Sequence, residues 1–339
     1  MGQKRRLRRI KKNLNNTHMK KYFAYLSKVH NQLKKLSERK GISLWWLYQD
    51  YFKCLLHYGC LINQYVNGDF YKMGVLTRKR SFTQRRLEKV IQIANDREYT
   101  YILVNKLEFN TFFKDYIERE WLYSRDMNKD SFKKLIESNH ELFIKPLSLQ
   151  EGEGIRKVRV HGENVNQLYE ELASGSFLIE TVIKQHPAMY FNNTSVNSAR
   201  ILTVLDKSGK AHVIRAGLRV GVGDSVVDNY SAGGVLYEID LSTGIIDHKG
   251  IQGNNYEIIY HPGTQICMLG FRIPNWDEAI STVKKAAEKI PQCRFIGWDV
   301  AFTEQGVELI EGNHNPGIFT LESIGTPGAY ADVLKILNH

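Results

Sequence analysis

Hydrophobic and polar positions follow two different patterns along the chain, and the change falls near residue 100. Residues 1–100 contain few glycines and no clear period-two alternation, which predicts helices joined by short polar connections. Beyond residue 100, short β-rich runs alternate with helix-like stretches. The predicted strands begin at Tyr101, Leu142, Lys157 and Phe177, and the predicted helices between them begin at Ser131 and Val165. This order indicates an α+β fold class with an N-terminal helical region.

Two hairpins are predicted in the second half of the chain. Residues 199–205 and 211–218 alternate in the manner of strands and flank the turn sequence Asp206-Lys-Ser-Gly. Residues 296–302 and 307–311 flank Thr303-Glu-Gln-Gly in the same way. A helix over residues 276–290 precedes this second hairpin, and a shorter helix is predicted near the C-terminus.

The positive charge of the chain is concentrated in its first 40 residues. The formal net charge is +11, but residues 1–40 hold 14 basic and 1 acidic residue, whereas the other 299 hold 33 basic and 35 acidic residues. Few aromatic residues precede Tyr22, so the tail does not predict specific nucleic-acid recognition. It favours contact with an anionic membrane surface or an acidic glycan.

The cysteines and the hydropathy pattern indicate in which cellular compartment the protein is expected. Four cysteines are spread over 339 residues without the close spacing of a disulfide framework or a zinc site. No stretch of 18 or more apolar residues occurs, and no apolar core of a signal peptide follows the basic N-terminus. We therefore expect a cytoplasmic protein that neither is secreted nor spans a membrane, with peripheral contact at the inner face of the membrane left open.

Residues 42–58 form the most lipid-like segment, and they allow two interpretations. Leu44, Leu47, Tyr48, Tyr51 and Leu55 recur at helical spacing. Beside a basic tail, such a helix can lie in the interface of an anionic membrane. Aromatic residues at helical spacing more often pack into a core, and we favour a buried helix of an N-terminal helical layer.

The second hairpin carries the most specific chemical signal. Asp299 lies on its first strand, and Glu311 and Asn313 lie at the end of the second, so antiparallel pairing can bring their oxygen atoms together. Two carboxylates and an amide oxygen suit Mg²⁺, which prefers oxygen ligands and retains positions for water or phosphate. The alternative is that both acids are exposed strand residues and that the segment after them is only a turn.

These residues, followed by Pro316 and Gly317, resemble the end of the ATP-grasp fold, in which such a segment holds magnesium. Further elements in the family's order extend the resemblance over residues 101–320. It implies two α+β subdomains that grip ATP. Lys106 and Lys145 resemble the two nucleotide-binding lysines, and Gly152 and Gly154 lie in a loop that would approach the phosphates.

The resemblance also implies roles for residues between the lysines and the magnesium segment. Residues 177–187 resemble the hinge that holds adenine, with Glu180, Thr181 and Ile183 at the matching positions, and Gln185 and His186 stand where relatives bind ribose. Arg200 resembles the phosphate-binding arginine, whose forked, permanently charged group suits a transferring phosphoryl group. Residues 228–234 resemble the acceptor segment of peptide-bond-forming members. The implied catalytic residues are Arg200, Arg219 and Asn229.

Within the superfamily, residues 179–187, 228–234, 261–264 and 271–274 look like the sugar-transfer-associated ATP-grasp group, which is associated with building cell-surface polysaccharides such as capsules. We accordingly divide the chain into a basic helical region (1–100), an N-terminal ATP-grasp subdomain with the lysine strand and glycine loop (101–185) and a C-terminal subdomain with the metal-binding hairpin (186–339).

The leading hypothesis is an ATP-dependent carboxylate–amine ligase that forms an amide through an acyl phosphate. ATP and Mg²⁺ are the expected cofactors, and a glycan uronic acid and an amino acid are the expected partners. An ATP-grasp kinase acting on a sugar hydroxyl is the alternative within the fold. A membrane- or polyanion-binding protein with a degenerate nucleotide site is the alternative from another class.

Overall fold

The N-terminal helices form a compact unit of their own in the computed structural model, which describes residues 2–137, 139–147, 154–162, 164–191, 196–222, 234–252, 256–317 and 328–338. This first unit comprises Met1–Lys79 with Thr83–Arg86, and the second comprises Arg80–Phe82 with Leu87–His339. The boundaries predicted at residues 100 and 185 remain a prediction. The first helices are α1 (Gly2–Lys40), α2 (Leu44–Tyr58), α3 (Ile62–Asn67), α4 (Val75–Arg80) and α5 (Gln84–Ala94).

Helix α2 is defined at both ends and packs into the core of the first unit. Ser43 caps its first turn, and Gly59 ends it with φ 68°, a left-handed conformation that favours glycine. Leu47, Tyr51 and Cys54 are buried, as the favoured interpretation predicted. None of the helices among the described residues has both the length and the apolar content required to cross a bilayer.

Asp50, which interrupts the apolar pattern of α2, is explained by a buried ion pair. Both of its carboxylate oxygens accept hydrogen bonds from Arg78 of α4, at 2.7 and 2.8 Å. The Tyr65 hydroxyl of α3 donates a further bond to Asp50 Oδ2 at 2.8 Å. One acidic residue therefore ties three helices together.

After α5, the second unit continues with two short helices, and the first of them corrects a sequence prediction. Residues 101–104 were expected to form a strand but form helix α6 (Tyr101–Val104), followed by α7 (Lys106–Phe112). Four apolar residues fit a helix as well as a strand, so periodicity alone could not decide. In the structure Ile102 and Leu103 of α6 pack into the core of the second unit. Asn105 ends α6 and caps α7, because its side chain accepts hydrogen bonds from the Leu107 and Glu108 amides.

A four-stranded antiparallel sheet follows, in the order β1-β4-β2-β3. Its predicted strands from Leu142, Lys157 and Phe177 and its two predicted helices are confirmed. The apolar faces of both helices pack on the sheet, with Phe132, Leu135, Leu168 and Leu172 in the shared core. The elements are β1 (Trp121–Tyr123), α8 (Lys129–Glu137), β2 (Glu141–Pro146), β3 (Arg156–Arg159), α9 (Val165–Ala173) and β4 (Phe177–Thr181).

The larger sheet has seven antiparallel strands in the order β11-β10-β5-β6-β7-β8-β9. Both predicted hairpins are confirmed as β5–β6 and β10–β11. Strand β10 lies inside the sheet and is buried along its whole length. The elements are β5 (Ser198–Leu205), β6 (Ala211–Val220), β7 (Val235–Glu238), β8 (Gly250–Gln252), β9 (Tyr256–Ile258), α10 (Trp276–Lys289), β10 (Phe295–Phe302), β11 (Val307–Asn313) and α11 (Ala329–Asn338).

Three side chains of the second unit have structural partners. The Trp298 indole is fully buried and donates to Thr203 Oγ1 at 2.8 Å. Arg272 donates to the Thr243 carbonyl at 2.8 Å. His261 is fully buried, with Nε2 3.1 Å from the Gly221 carbonyl and Nδ1 accepting from the Thr264 amide at 3.1 Å. This arrangement suits a neutral imidazole with its proton on Nε2.

We expect His261 to make the folded protein less stable in mild acid. Burial lowers the pKa of His261 below its usual 6.5. Below about pH 6.5 this histidine becomes protonated in the unfolded chain while it stays neutral in the folded chain. The free energy of unfolding therefore falls as the pH drops. Urea unfolding at pH 7.5 and 5.5 should show a smaller decline for His261→Gln than for the unchanged protein. An equal decline in both proteins would contradict this explanation.

Candidate functional site

The acidic residues of the last hairpin lie opposite each other. The β10–β11 register pairs Asp299 with Glu311 and Gly297 with Asn313. A register shift follows directly at Val300, where Leu309 is the next partner, so Ile310 is bulged out next to Glu311. Bulges re-aim side chains and are common beside active sites. The hairpin therefore presents both carboxylates and the amide at its open end.

Two arginines from neighbouring strands surround Asp299. Arg200 lies directly across from it on β5 and forms a two-point ion pair, with Nη2 3.0 Å from Oδ2. Arg219 of β6 approaches the same oxygen at 2.7 Å. Burial by itself raises the pKa of the Asp299 carboxyl, but the two guanidinium groups outweigh burial and lower the pKa to about 2. Asp299 is therefore ionised at neutral pH.

Glu311 is more accessible than Asp299, and its pKa is shifted in the opposite direction. Its side chain is half exposed, Asn313 Nδ2 donates to its Oε1 at 3.1 Å, and Arg200 Nη2 lies 3.9 Å away. Desolvation within the crowded site and the adjacent Asp299 carboxylate raise the pKa of Glu311. Two neighbouring carboxylates repel each other when both are ionised, and a bound divalent cation would offset that repulsion.

The donor set fits magnesium in kind and number. Two carboxylates and one amide oxygen are hard oxygen ligands that leave positions for water and phosphate. A Cβ atom at Gly297 would lie 2.7 Å from Pro316 Cβ and 3.1 Å from Arg200 Cδ, so only glycine permits this close packing. Within the described part of the chain, no group of three or more His, Cys, Asp or Glu side chains could hold a metal. The third protein ligand would accordingly be Asn313.

The two predicted lysines lie next to each other. Lys106 opens α7 and donates to the Pro146 carbonyl at 3.4 Å, next to Lys145 of β2. Burial and the charge of Lys145 lower the pKa of Lys106, whereas Glu311 and Glu180 act in the opposite direction. The structure therefore places Lys106 beside Lys145, which pairs with Glu180, and within the electrostatic influence of Glu311.

Glu180 is a buried acid at the centre of this charge network. It is 1% exposed, forms an ion pair with Lys145, and accepts a hydrogen bond from Asn110 Nδ2 at 2.8 Å. Burial alone would raise the pKa of Glu180, but Arg119 and Lys145 hold it well below the usual range. The Glu180 carboxylate thus positions Lys145, while the Glu180 backbone belongs to the predicted hinge.

The other hinge residues connect the two sheets. Thr181 accepts from the Glu120 amide at 3.1 Å, and the His186 amide donates to the Phe302 carbonyl at 2.7 Å. The Gln185 side chain accepts from the Asn197 amide at 2.9 Å, and His186 Nδ1 accepts from the Ala188 amide at 3.1 Å. Ile183 follows β4 and is half-buried. The adenine and ribose contacts assigned to these residues remain predictions.

Two predicted site residues, Gly152 and Asn229, lie outside the described residues. Gly154 of the same loop is described and has φ 71°, a conformation that other residues rarely adopt. Its predicted approach to phosphate remains a prediction.

Sequence reasoning missed Arg119, which joins the two sheets. The side chain is 2% exposed, and its Nη2 and Nη1 atoms lie 3.0 Å from Glu180 of β4 and 3.0 Å from Glu308 of β11. Nη1 also donates to the Leu309 carbonyl at 2.8 Å. Because Arg119 stands in an ordinary polar stretch and its partner Glu308 is 189 residues away, no local pattern could have revealed it.

Residues 84–335 match the family described as sugar-transfer associated ATP-grasp. Because the match extends over well more than half of the sequence, the chain belongs to this family, and its fold is the ATP-grasp fold, as the sequence predicted. No curated protein matches the chain significantly.

Solved structures show a remote similarity. The ADP complex of N5-carboxyaminoimidazole ribonucleotide synthetase is 11% identical, with 69% of this chain and 51% of that chain covered at a TM-score of 0.44. The ATP-grasp ligase PsnB, complexed with minimal precursor, Mg and ADP, is 13% identical over 71% and 61%, with a TM-score of 0.42. An L-amino acid ligase from Bacillus licheniformis is 13% identical over 70% and 49%, with a TM-score of 0.39. The chain thus spans about half to three fifths of the length of these proteins.

Proposed function

We propose that the chain is an ATP-dependent carboxylate–amine ligase. The observation that carries this proposal is the convergence of one cross-strand carboxylate pair, Asp299 and Glu311, with a set of cations. The cations come from both sheets and from α7: Lys106, Lys145, Arg200 and Arg219. Positive charge beside a magnesium-type donor set suits a nucleotide polyphosphate, and family membership supports the same assignment.

The proposed reaction has two steps. An oxygen of the first substrate's carboxylate attacks the γ-phosphorus of ATP, the bond to the β-phosphate oxygen breaks, and ADP leaves. The nitrogen of the amine then attacks the acyl carbon of the resulting acyl phosphate, inorganic phosphate leaves, and the nitrogen loses a proton. No protein nucleophile is needed, so the protein acts by positioning the substrates and neutralising charge.

Residues of this chain have separate proposed roles in these steps. Magnesium bound by Asp299, Glu311 and Asn313 would offset phosphate charge. Lys106 and Lys145 stabilise the negative charge of the transferring phosphoryl group, and they act strongly because both side chains are partly buried.

The arginines have a different role. Arg200 and Arg219 hold Asp299 in place through their ion pairs, and Arg200 also donates to the Pro316 carbonyl at 3.2 Å. Asn229 and the glycine loop around Gly152 and Gly154 are proposed to face the acceptor and the phosphates, as the family resemblance implies.

We further propose that the carboxylate belongs to a uronic acid of a cell-surface polysaccharide, as in a capsule, and that the amine belongs to an amino acid. The family's association with sugar transfer supports this choice. A cytoplasmic location with peripheral contact at the inner face of the membrane is part of the same proposal, supported by the charge of residues 1–40.

The test is a product-detected screen of amino acids against uronic-acid acceptors. We expect ADP release that requires both partners and an amide-linked product in mass spectrometry. Lys145→Met should lower ADP release by about 10²–10³-fold because it removes one charge beside the phosphates. The matched control is Lys157→Met on β3, whose ion pair with Glu141 is on the surface. ADP release with a hydroxyl acceptor alone and a stable phosphoester product would replace the ligase with a kinase.

A further inference from the structure

Helix α2 has a second apolar face, which points away from the core of the first unit. Trp45, Phe52 and Leu56 are 71%, 42% and 79% exposed, whereas Leu47, Tyr51 and Cys54 on the opposite side are buried. With Gln49, the three exposed residues stand at i, i+4, i+7 and i+11, which is one continuous stripe of a helix. Exposing a stripe of large apolar side chains to water costs free energy unless a membrane or another molecule covers it.

Helix α1 extends this surface, because it runs alongside α2 in the opposite direction. The hydroxyls of Tyr25 and Tyr51 are 2.7 Å apart, and the Ser37 hydroxyl donates to the Ile42 carbonyl at 2.6 Å. Residues before Tyr25 therefore lie beside the end of α2 that carries Leu56. Three of them are large, apolar and more than half exposed: Met19, Tyr22 and Phe23.

Helix α1 carries a dense positive charge, and α2 adds one lysine, Lys53, which Asp50 balances in the net charge of that helix. The exposed basic residues among their described side chains are Lys20, Lys21, Lys28, Lys34, Lys35, Arg39, Lys40 and Lys53. The sequence adds seven more basic residues before Met19, and residues 1–40 contain a single acid. Aromatic and aliphatic side chains flanked by lysines are the composition of helices that lie in the interface of anionic membranes.

A cavity of about 450 Å³ opens at the other end of α2 and has the same mixed chemistry. It is lined by Ile42, two aromatic residues, Trp46 and Tyr71, and two lysines, Lys40 and Lys72. Lys72 also pairs with Asp69 at 2.7 Å. Aromatic rings with ammonium groups beside them suit the boundary between acyl chains and anionic headgroups.

We propose that this face of α1 and α2 docks on an anionic lipid bilayer. Trp45, Phe52 and Leu56 enter the boundary between headgroups and acyl chains, and the lysines contact the headgroup phosphates and carboxylates. Charge favours this occupant over a second copy of the chain, since a two-fold interface through this face would bring two strongly positive helices together. The inference rests on the peripheral membrane contact included in the proposed function and names the surface that makes it, but its test uses vesicle binding and is independent of the ligase reaction.

Vesicle co-sedimentation of the full chain tests the proposal. We expect strong binding to phosphatidylcholine vesicles that contain about 30% phosphatidylserine, and at least about tenfold weaker binding to pure phosphatidylcholine or in high salt. The variant W45A/F52A/L56A should also bind the anionic vesicles about tenfold more weakly. The control I93A/Y260A alters two apolar residues of the second unit with similar exposure, 57% and 54%, and should bind as the unchanged protein does.

Two further measurements keep the proposal falsifiable. The urea unfolding curves of both variants should match that of the unchanged protein, because the altered side chains lie on the surface. Equal binding of W45A/F52A/L56A and the unchanged protein to anionic vesicles would overturn the proposal. A dimer in light scattering that W45A/F52A/L56A abolishes would also overturn it, because a second copy would then cover the face.

Discussion

Asp299→Asn is expected to reduce ADP release by at least about 10²–10³-fold. The amide keeps the shape of the side chain but removes a charge that serves two purposes. Asp299 is paired with Glu311 across the hairpin and with both Arg200 and Arg219. Without it, the magnesium donor set loses one carboxylate and two guanidinium groups lose their counter-ion. The measurement is ADP release as a function of Mg²⁺ concentration at saturating ATP.

Two companion variants separate loss of chemistry from loss of folding. Glu311→Gln should also shift the Mg²⁺ dependence, but with little effect on stability, because the Glu311 side chain is half exposed. Asp247→Asn removes a surface carboxylate that pairs with His248, and its activity should remain within a few-fold of the unchanged protein. If D299N released ADP at a normal rate, Asp299 would be only a counter-ion for the arginines and the proposed magnesium site would be wrong.

Arg119→Met is expected to lower the free energy of unfolding by about 3–5 kcal/mol. Methionine fills much of the same space but leaves Glu180 and Glu308 buried, each with a 2% exposed side chain and without their shared cation. Lys145 still pairs with Glu180, and two backbone amides still donate to Glu308, so folding should weaken rather than fail. Urea unfolding monitored by tryptophan fluorescence gives the change.

The control for Arg119 is an arginine whose ion pair is solvated. Arg156 pairs with Glu171, and both side chains are close to half exposed, so Arg156→Met should cost less than about 1 kcal/mol. The double variant R119M/E308Q should recover part of the loss because it also removes one uncompensated charge. A change below about 1 kcal/mol for R119M would mean that the buried pairs contribute little net stability.

The metal hairpin was the part of the site that local sequence described best. Turn chemistry and alternation predicted the β10–β11 hairpin and so brought Asp299 close to Glu311. A register continued from the Phe302–Val307 pair would place Ile310 opposite Asp299, and only the bulge at Ile310 puts Glu311 there. The same reasoning found the β5–β6 hairpin. It did not predict the ion pair between Asp299 of β10 and Arg219 of β6. That contact spans strand β5, and the sequence does not state the order of these strands in the sheet.

The conformation of short segments and the burial of helix faces could be decided only from the tertiary structure. Tyr101–Val104 is too short for periodicity to distinguish a helix from a strand, and only the structure shows a helix with Ile102 and Leu103 in the core. For α2, the sequence offered a buried helix and an interfacial helix as alternatives. The structure places one face of α2 in the core and leaves the other exposed, and this exposed face is the one that we propose docks on a bilayer.

The sequence by itself determined the fold class, the two hairpins, the charge division and the residues that resemble an ATP site. These features depend on neighbours within a few residues or on a register set by one tight turn. Only the tertiary structure decided that Arg119 bridges Glu180 and Glu308, that Arg200 and Arg219 share Asp299, and that α2 keeps an exposed aromatic face. Such pairings join residues from about 60 to 190 positions apart or depend on which surface remains uncovered. Chain folding sets those distances, and no local pattern records them.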